Sequence, residues 1–424
     1  MEWVAGARVG GAYRRLRWLG MSISPCHISR FSPEFQLACY CCRTPLAEED
    51  WDEIQSLLAR VDVPAFLELV ISRHRIGPLV YAVIKQLPAQ KLPPGLMAPL
   101  SACSRANSVA ALQSKRAHIL LARWFSNAGI DWLPFKGVTV AQRYFGDFAL
   151  RQVNDIDIWV PASKMLGARA LLLARDFQAH DSTHHWALAT RGPRHLDYLR
   201  RYYFEEQFYS REFGWLELHW QLTANTRQFS VKPEAILSQS DQIKLGDTSV
   251  GVMNHVDLLL YLCEHGARHG WYRLKWLADL PRLLAHQNWD WRLVFDRALE
   301  AGSARSLLLG LALSRDLFGC ELPEAVHQEL RGFVPLPIAI RTVRLDLQAP
   351  SIQFVPVVRP SIARRFADLL RSLVLSSNFR GAGMNVWRYS LSPNDLQVIK
   401  LPDRWFWLYY VLRPILFTIR ICRA

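Results

Sequence analysis

The chain has 424 residues, half of them hydrophobic and 21% charged, which is ample apolar material for a buried core and excludes a largely disordered protein. Lys and Arg number 51 against 37 Asp and Glu, and this net charge of +14 favours nucleotides, nucleic acid or anionic lipid as partners. No stretch approaches the roughly 20 uncharged apolar residues that a membrane-spanning helix needs.

Residues 1–32 read as a poorly ordered extension. Arg8, Arg14, Arg15 and Arg17 break any apolar run, so no secretory signal is expected, and Met21 is an alternative start. Residues 33–128 read as an N-terminal helical region. Trp51, Ile54, Leu57, Leu58 and Val61 recur at helical spacing, and a long helix is predicted over Leu100 to Asn127. Cys39 and Cys42 form a CxxC, but no second pair stands at zinc-ribbon spacing, so buried thiols are expected. Eight Cys without a framework point to a reducing, cytoplasmic location.

The texture changes at 129–250, the predicted α/β core. Ile130 to Phe135 reads as a strand that ends in Lys136-Gly137, and a short helix through Val140 and Tyr144 follows. Asp155 to Val160 begins in strict alternation and is rich in β-formers. Pro161 is expected to open a helix carrying Leu166 to Leu173. Phe204–Tyr209 and Trp215–Leu222 read as two strands joined by a turn at Gly214. Residues 251–424 read as a C-terminal helical region. Helices are expected over Val256–Ala267, Trp271–Leu284, 291–300, 304–318 and 361–376, and the Pro-rich stretch Pro335–Pro360 as loops.

Three features carry chemistry. Asp155 and Asp157 are two apart on a strand, so both carboxylates face one way while Ile156 and Ile158 face a core. Such carboxylates repel one another, and a cation relieves the repulsion; a two-metal phosphoryl-transfer site needs this arrangement. By the same reasoning Asp157→Asn is expected to raise stability slightly when no ion is bound. Glu217 and His219 likewise share one face of a strand, and Glu217 is a candidate third carboxylate, either metal ligand or general base. Gly137 exposes backbone N–H groups where a strand turns into a helix; Lys136 adds a point charge for a phosphate, and Arg151 a second anion contact.

Glu264-His265, His269, Trp271, Arg273 and Asp279 form a fourth group. His265 and His269 have the i, i+4 spacing of a zinc pair, but Gly266 stands where a zincin has Glu and no third ligand follows. A polar face lining a cleft, shared by His219, His265, His269 and Arg273, is the functional reading. The aromatic tail Trp405 to Tyr410, with Arg404, Arg413, Arg420 and Arg423, reads first as packing onto the fold and second as a peripheral contact with a membrane surface.

The stretches LPFKGVTVAQRYFGDFALRQVNDIDIWV, WLELHWQL and CEHGARHGWYRLKWLADLPRLL together resemble the polymerase-β-like nucleotidyltransferase superfamily. Within it they resemble the bacterial family described as uncharacterised nucleotidyltransferase. The resemblance covers about residues 35–320, with Lys136-Gly137 where the superfamily has Gly-Ser. It implies an α+β fold: a small mixed β-sheet core with flanking helices, embedded between helical regions. It also implies that Asp155, Asp157 and Glu217 are catalytic and bind Mg²⁺ or Mn²⁺, and that an NMP passes from an NTP to an acceptor with release of pyrophosphate. The acceptor is left open as a small molecule, a protein or a polysaccharide precursor. A sugar-nucleotide glycosyltransferase and a catalytically inert nucleotide-binding subunit are the alternatives.

Overall fold

The structure is a computed structural model and describes residues 28–180, 192–223, 229–231, 233–286, 288–348, 374–375 and 399–422. The sequence readings over residues 1–27, at Arg423 and over most of 361–376 lie outside these residues. Contacts group the chain into two compact units rather than into successive stretches. One unit comprises residues 1–109, 140–152 and 255–375; the other comprises 110–139, 153–254 and 376–424.

The first unit is helical. Its central helix His255–Arg268 is buried without a break from Val256 to Ala267, as expected of a helix surrounded by neighbours on every side. The helix Ala304–Phe318 lies against it. Two glycines permit this packing: a Cβ on Gly310 would stand 2.6 Å from Cys263 Sγ, and one on Gly266 would stand 2.2 Å from the Trp271 ring. Asp62 and Asp290 cap the helices Val63–Leu67 and Trp291–Ala301, each carboxylate accepting from a backbone N–H three residues on. Cys39, Cys41 and Cys42 are buried thiols, and burial pushes Cys42 up to about 12.

Two sequence readings are corrected in this unit. The predicted helix Trp271–Leu284 is two short helices, Leu274–Leu277 and Asp279–Ala285. The Pro-rich stretch contains the helix Leu336–Gln348, because Pro337 stands in its first turn, where a missing N–H costs nothing.

The second unit is built on a five-stranded mixed sheet. Its strands are β1 (Leu133–Pro134), β2 (Asp155–Trp159), β3 (Gln178–Ala179), β4 (Glu205–Ser210) and β5 (Gly214–His219). Their order is β1-β2-β5-β4-β3; β2 and β5 run parallel, and the other neighbours are antiparallel. One sheet face, with Ile156, Ile158, Phe208, Leu216 and Leu218, packs onto Leu121 and Phe125 of the helix Met97–Asn127 and onto Met165, Ala168 and Leu172 of the helix Met165–Leu173. Alternation turns the other side chains of each strand to the opposite face, where Asp157, Trp159 and His219 are buried as well. The expected strand 130–135 shrinks to two residues. The helix expected from Pro161 starts at Met165, after a turn in which Lys164 N donates to Pro161 O at 2.8 Å. A separate hairpin, β6 (Asp241–Leu245) with β7 (Thr248–Val252), has no counterpart in the sequence reading.

Candidate metal and nucleotide site

Register assembles the site. Asp157 stands opposite Glu217 across the parallel pair β2–β5, and Trp159 stands opposite His219. On the other side of β5, Gln207 stands opposite Glu217 and Glu205 opposite His219. Three neighbouring strands therefore place Asp155 and Asp157, Glu217 and His219, and Glu205 and Gln207 on one face.

Asp157, Glu217 and His219 offer ligand atoms that all lie within 4.8 Å of one another, the one such group among the described residues. His219 Nε2 is 3.3 Å from Glu217 Oε2 and 3.5 Å from Asp157 Oδ1, while its Nδ1 is 3.4 Å from Glu205 Oε2. Gln207 Nε2 donates to Glu217 Oε1 at 3.1 Å. The Phe135 ring meets the imidazole edge-on with centroids 5.0 Å apart. Asp155 precedes this group by two residues on β2, opposite Trp215 in register, and is not one of the three.

A cation supplied by the chain itself already offsets the repulsion among these acids. Lys136 Nζ donates to Asp157 Oδ1 at 2.7 Å. Burial opposes ionisation of Asp157, but the Lys136 ammonium and a hydrogen bond from His219 outweigh it and hold the carboxyl well below the usual carboxylate range. Burial opposes the imidazolium too, yet Glu205, Asp157 and Glu217 raise His219 to about 9. Gly137 follows Lys136 with φ +65, a left-handed conformation natural to glycine, and a Cβ there would lie 3.6 Å from the Asp155 carbonyl oxygen. Thr139 Oγ1 closes the turn by donating to Lys136 O at 2.9 Å.

The donor set fits a divalent ion. An octahedral ion with ligands at about 2.1 Å separates them by roughly 3 to 4.2 Å, so the present spacing needs only a small contraction. By ligand type the two carboxylates with water suit Mg²⁺ or Mn²⁺, and the imidazole is the donor such ions favour least.

The remaining sequence candidates lie in the helical unit. Arg151 is committed elsewhere than expected: its Nε and Nη2 donate to Asp279 Oδ1 and Oδ2 at 2.8 and 2.9 Å, with both side chains buried. His265 and His269 have ring centroids 4.7 Å apart, and both pack on Trp276. Arg268 Nη2 is 3.3 Å from His265 Nδ1, and the Arg273 guanidinium lies 5.3 Å from the Tyr272 ring. His265 and His269 are not in a group of three metal-ligating side chains among the described residues.

The sequence reading overlooked Glu205 and Gln207. Their period-two spacing on a strand was the available signal, but it means little until β4 is known to pair with β5 in this register. His118 was overlooked as well. It is buried on the helix Met97–Asn127, where burial lowers it to about 4 despite its contact with Ser114 O and the field of Asp157.

A family model described as uncharacterised nucleotidyltransferase matches residues 59–319, more than half of the chain. No curated protein and no solved structure matches.

Proposed function

The chain belongs to the uncharacterised nucleotidyltransferase family, and on that premise we propose that it transfers an NMP from an NTP to an acceptor, with Mg²⁺ or Mn²⁺ and release of pyrophosphate. The observation that carries this reading is the in-register pairing of Asp157 with Glu217 inside a group of three metal-ligating side chains, with Lys136 beside it.

In this reading Asp157, Glu217 and His219 hold the ion, and Asp155, on the same strand face, joins them at the rim. A bound divalent ion supplies neutralisation of phosphate charge and activation of the attacking oxygen. Glu217, fixed by Gln207, is also the carboxylate available to take the acceptor's proton. Lys136 exchanges Asp157 for a phosphate oxygen when the triphosphate enters, and the left-handed turn at Gly137 lets the backbone approach the same anion. Arg151, whose Nε and Nη2 both donate to Asp279, is left out of the phosphate site in this reading.

The test has two arms. Labelled ATP, GTP, CTP and UTP are each incubated with the protein, Mn²⁺ or Mg²⁺, and small-molecule, protein and polysaccharide-precursor acceptors, and incorporated NMP is counted. Binding of Mn²⁺ and NTP is measured separately by calorimetry. Transfer by the wild type that disappears in Asp157→Asn supports the reading; undiminished transfer in Asp157→Asn overturns it. A wild type that binds NTP but transfers to no acceptor favours the inert nucleotide-binding subunit.

A further inference from the structure

We propose that the C-terminal segment Asp403–Cys422 seats the protein on an anionic lipid bilayer through one exposed aromatic and aliphatic face. The segment is a 3₁₀ turn, Asp403–Trp405, followed by the helix Leu408–Cys422.

The inner face is tied down. Phe406, Tyr409 and Leu416 are buried in a small cluster with Tyr198 of the helix Pro193–Tyr202. The Tyr409 hydroxyl donates to Ile399 O at 2.6 Å and accepts from Leu401 N at 2.9 Å. Asp403 Oδ1 accepts from the backbone N–H groups of Arg194 and His195 at 3.0 and 3.2 Å, and lies 2.9 Å from His195 Nδ1. The His195 ring stands edge-on to Phe406, centroids 4.9 Å apart. These bonds fix which side of the helix faces outwards.

The outward side is apolar. Val411 and Ile415 stand four apart on the helix, Trp407 lies in the turn just before it, and the three are 62%, 57% and 57% exposed. Trp405 and Tyr410 widen the stripe at 49% and 45%. Tryptophan and tyrosine are the side chains whose rings suit the headgroup level of a bilayer. No helix among the described residues is long and apolar enough to cross a membrane, so a helix of this kind lies in the interface plane.

Charge selects the occupant. Between residues 400 and 424 the sequence holds Lys400, Arg404, Arg413, Arg420 and Arg423 against the single acid Asp403, and Asp403 is already engaged by His195. Lys400 and Arg404 are exposed, and the Arg404 guanidinium lies 5.5 Å from the Trp405 ring, so a basic head rests on the aromatic rim, while Arg413 is buried 5.8 Å from Tyr410. A second copy meeting this face would bring two such basic segments together. Five side chains are also fewer than the roughly 20 or more residues a side of a standard protein interface. An anionic lipid surface takes both the apolar stripe and its basic rim.

The test is cosedimentation of the full-length protein with vesicles of equal phosphatidylglycerol and phosphatidylcholine, and with vesicles of phosphatidylcholine alone. The expected result is binding to the first and not the second, with loss of binding in about 1 M salt, where the Debye length is about 3 Å. Trp407→Ser, Val411→Ser and Ile415→Ser together should weaken binding by about tenfold or more while thermal unfolding stays unchanged. Trp407→Ser alone, at one exposed position, should weaken it by about threefold. The proposal fails if the wild type ignores both vesicles, binds them equally, or binds as well with these substitutions as without them. It also fails if the wild type is a concentration-dependent dimer that the substitutions dissociate, since the face is then an interface between copies.

Discussion

Two groups of buried charge in this molecule are built on opposite terms. In the helical unit Arg151 and Asp279 form a closed pair: both carboxylate oxygens accept from one guanidinium at 2.8 and 2.9 Å. In the sheet unit Asp157, Glu217 and Glu205 share two cationic groups, Lys136 and His219, and the His219 contacts are long, 3.3 to 3.5 Å. Such a pair commits both carboxylate oxygens and two guanidinium nitrogens to each other. In the sheet unit the ligand atoms of Asp157, Glu217 and His219 converge instead, which is what uptake of a divalent ion requires. Burial alone therefore does not separate a structural charge from a candidate functional one; whether ligand atoms converge does.

Substituting one acid in each group should separate activity from stability. Asp157→Asn keeps the side-chain shape and removes a metal ligand, so transfer should fall by about a thousandfold or more, read as NMP incorporation at saturating NTP. The sequence reading expected this variant to gain stability by relieving repulsion from Asp155. The structure reverses that expectation, because Asp157 is the partner of Lys136 and His219, and losing it should lower the midpoint of thermal unfolding. Asp279→Ala should act the other way round. It strands a buried guanidinium, and chemical denaturation should show a loss of about 3 to 5 kcal/mol. If Asp279→Ala folds as stably as the wild type, the closed-pair description is wrong.

The same contrast explains what was legible in the sequence. The strand Asp155–Trp159 shows its alternation directly, and the structure buries Ile156 and Ile158 beneath the sheet. Lys136, Gly137, Asp157, Glu217 and His219 were all singled out from local pattern, and the structure gathers them in one unit. Arg151 was assigned to phosphate because it precedes Asp155 by four residues; its actual partner is 128 positions away, and no local pattern reports a contact at that range. The hairpin β6–β7 was missed although Ile243, Leu245, Val250 and Val252 alternate around Gly246. That pattern is short, and Gln242, Lys244 and Ser249 dilute it. The two-residue strands β1 and β3 carry almost no periodicity of their own and exist because a neighbouring strand offers an edge.

A pH series sharpens the comparison further. Glu264 is buried in the helical unit, and burial raises its carboxyl from 4.5 to about 7 even though Ser306 Oγ donates to it at 2.7 Å. An acid whose folded value is raised contributes stability below its unfolded value and loses it as pH rises through the folded one. Unfolding free energy should therefore drop across about pH 4.5 to 7, by at most about 3 kcal/mol from this group. Glu264→Gln can still accept from Ser306 and should remove that slope, so the variant gains on the wild type at about pH 8 relative to about pH 5. His219 predicts a different window. Its raised value near 9 contributes stability that is complete below its unfolded value of 6.5 and fades as pH rises through about 9. A difference between wild type and Glu264→Gln that is flat from about pH 4 to 8 would show that Glu264 is not buried as a neutral acid.

Lys136 gives the smallest effect and the finest discrimination, because it tests whether the chain's own cation competes with a divalent ion for Asp157. Lys136→Met removes the ammonium beside Asp157 but retains much of the apolar stem. If Lys136 both offsets Asp157 and later holds a phosphate, its loss should have two opposite signatures. Mn²⁺ binding to the protein without nucleotide should tighten, by about threefold to tenfold, since the ion no longer competes with a bonded lysine. NTP binding in the presence of Mn²⁺ should weaken by a similar factor, because one phosphate contact is gone. Calorimetry resolves the two separately, and neither depends on knowing the acceptor. A purely structural lysine would weaken both through a loosened β2, whereas a lysine irrelevant to the ion would leave Mn²⁺ binding unchanged. Only opposite changes in the two affinities are compatible with a cation that gives way to metal and moves to phosphate.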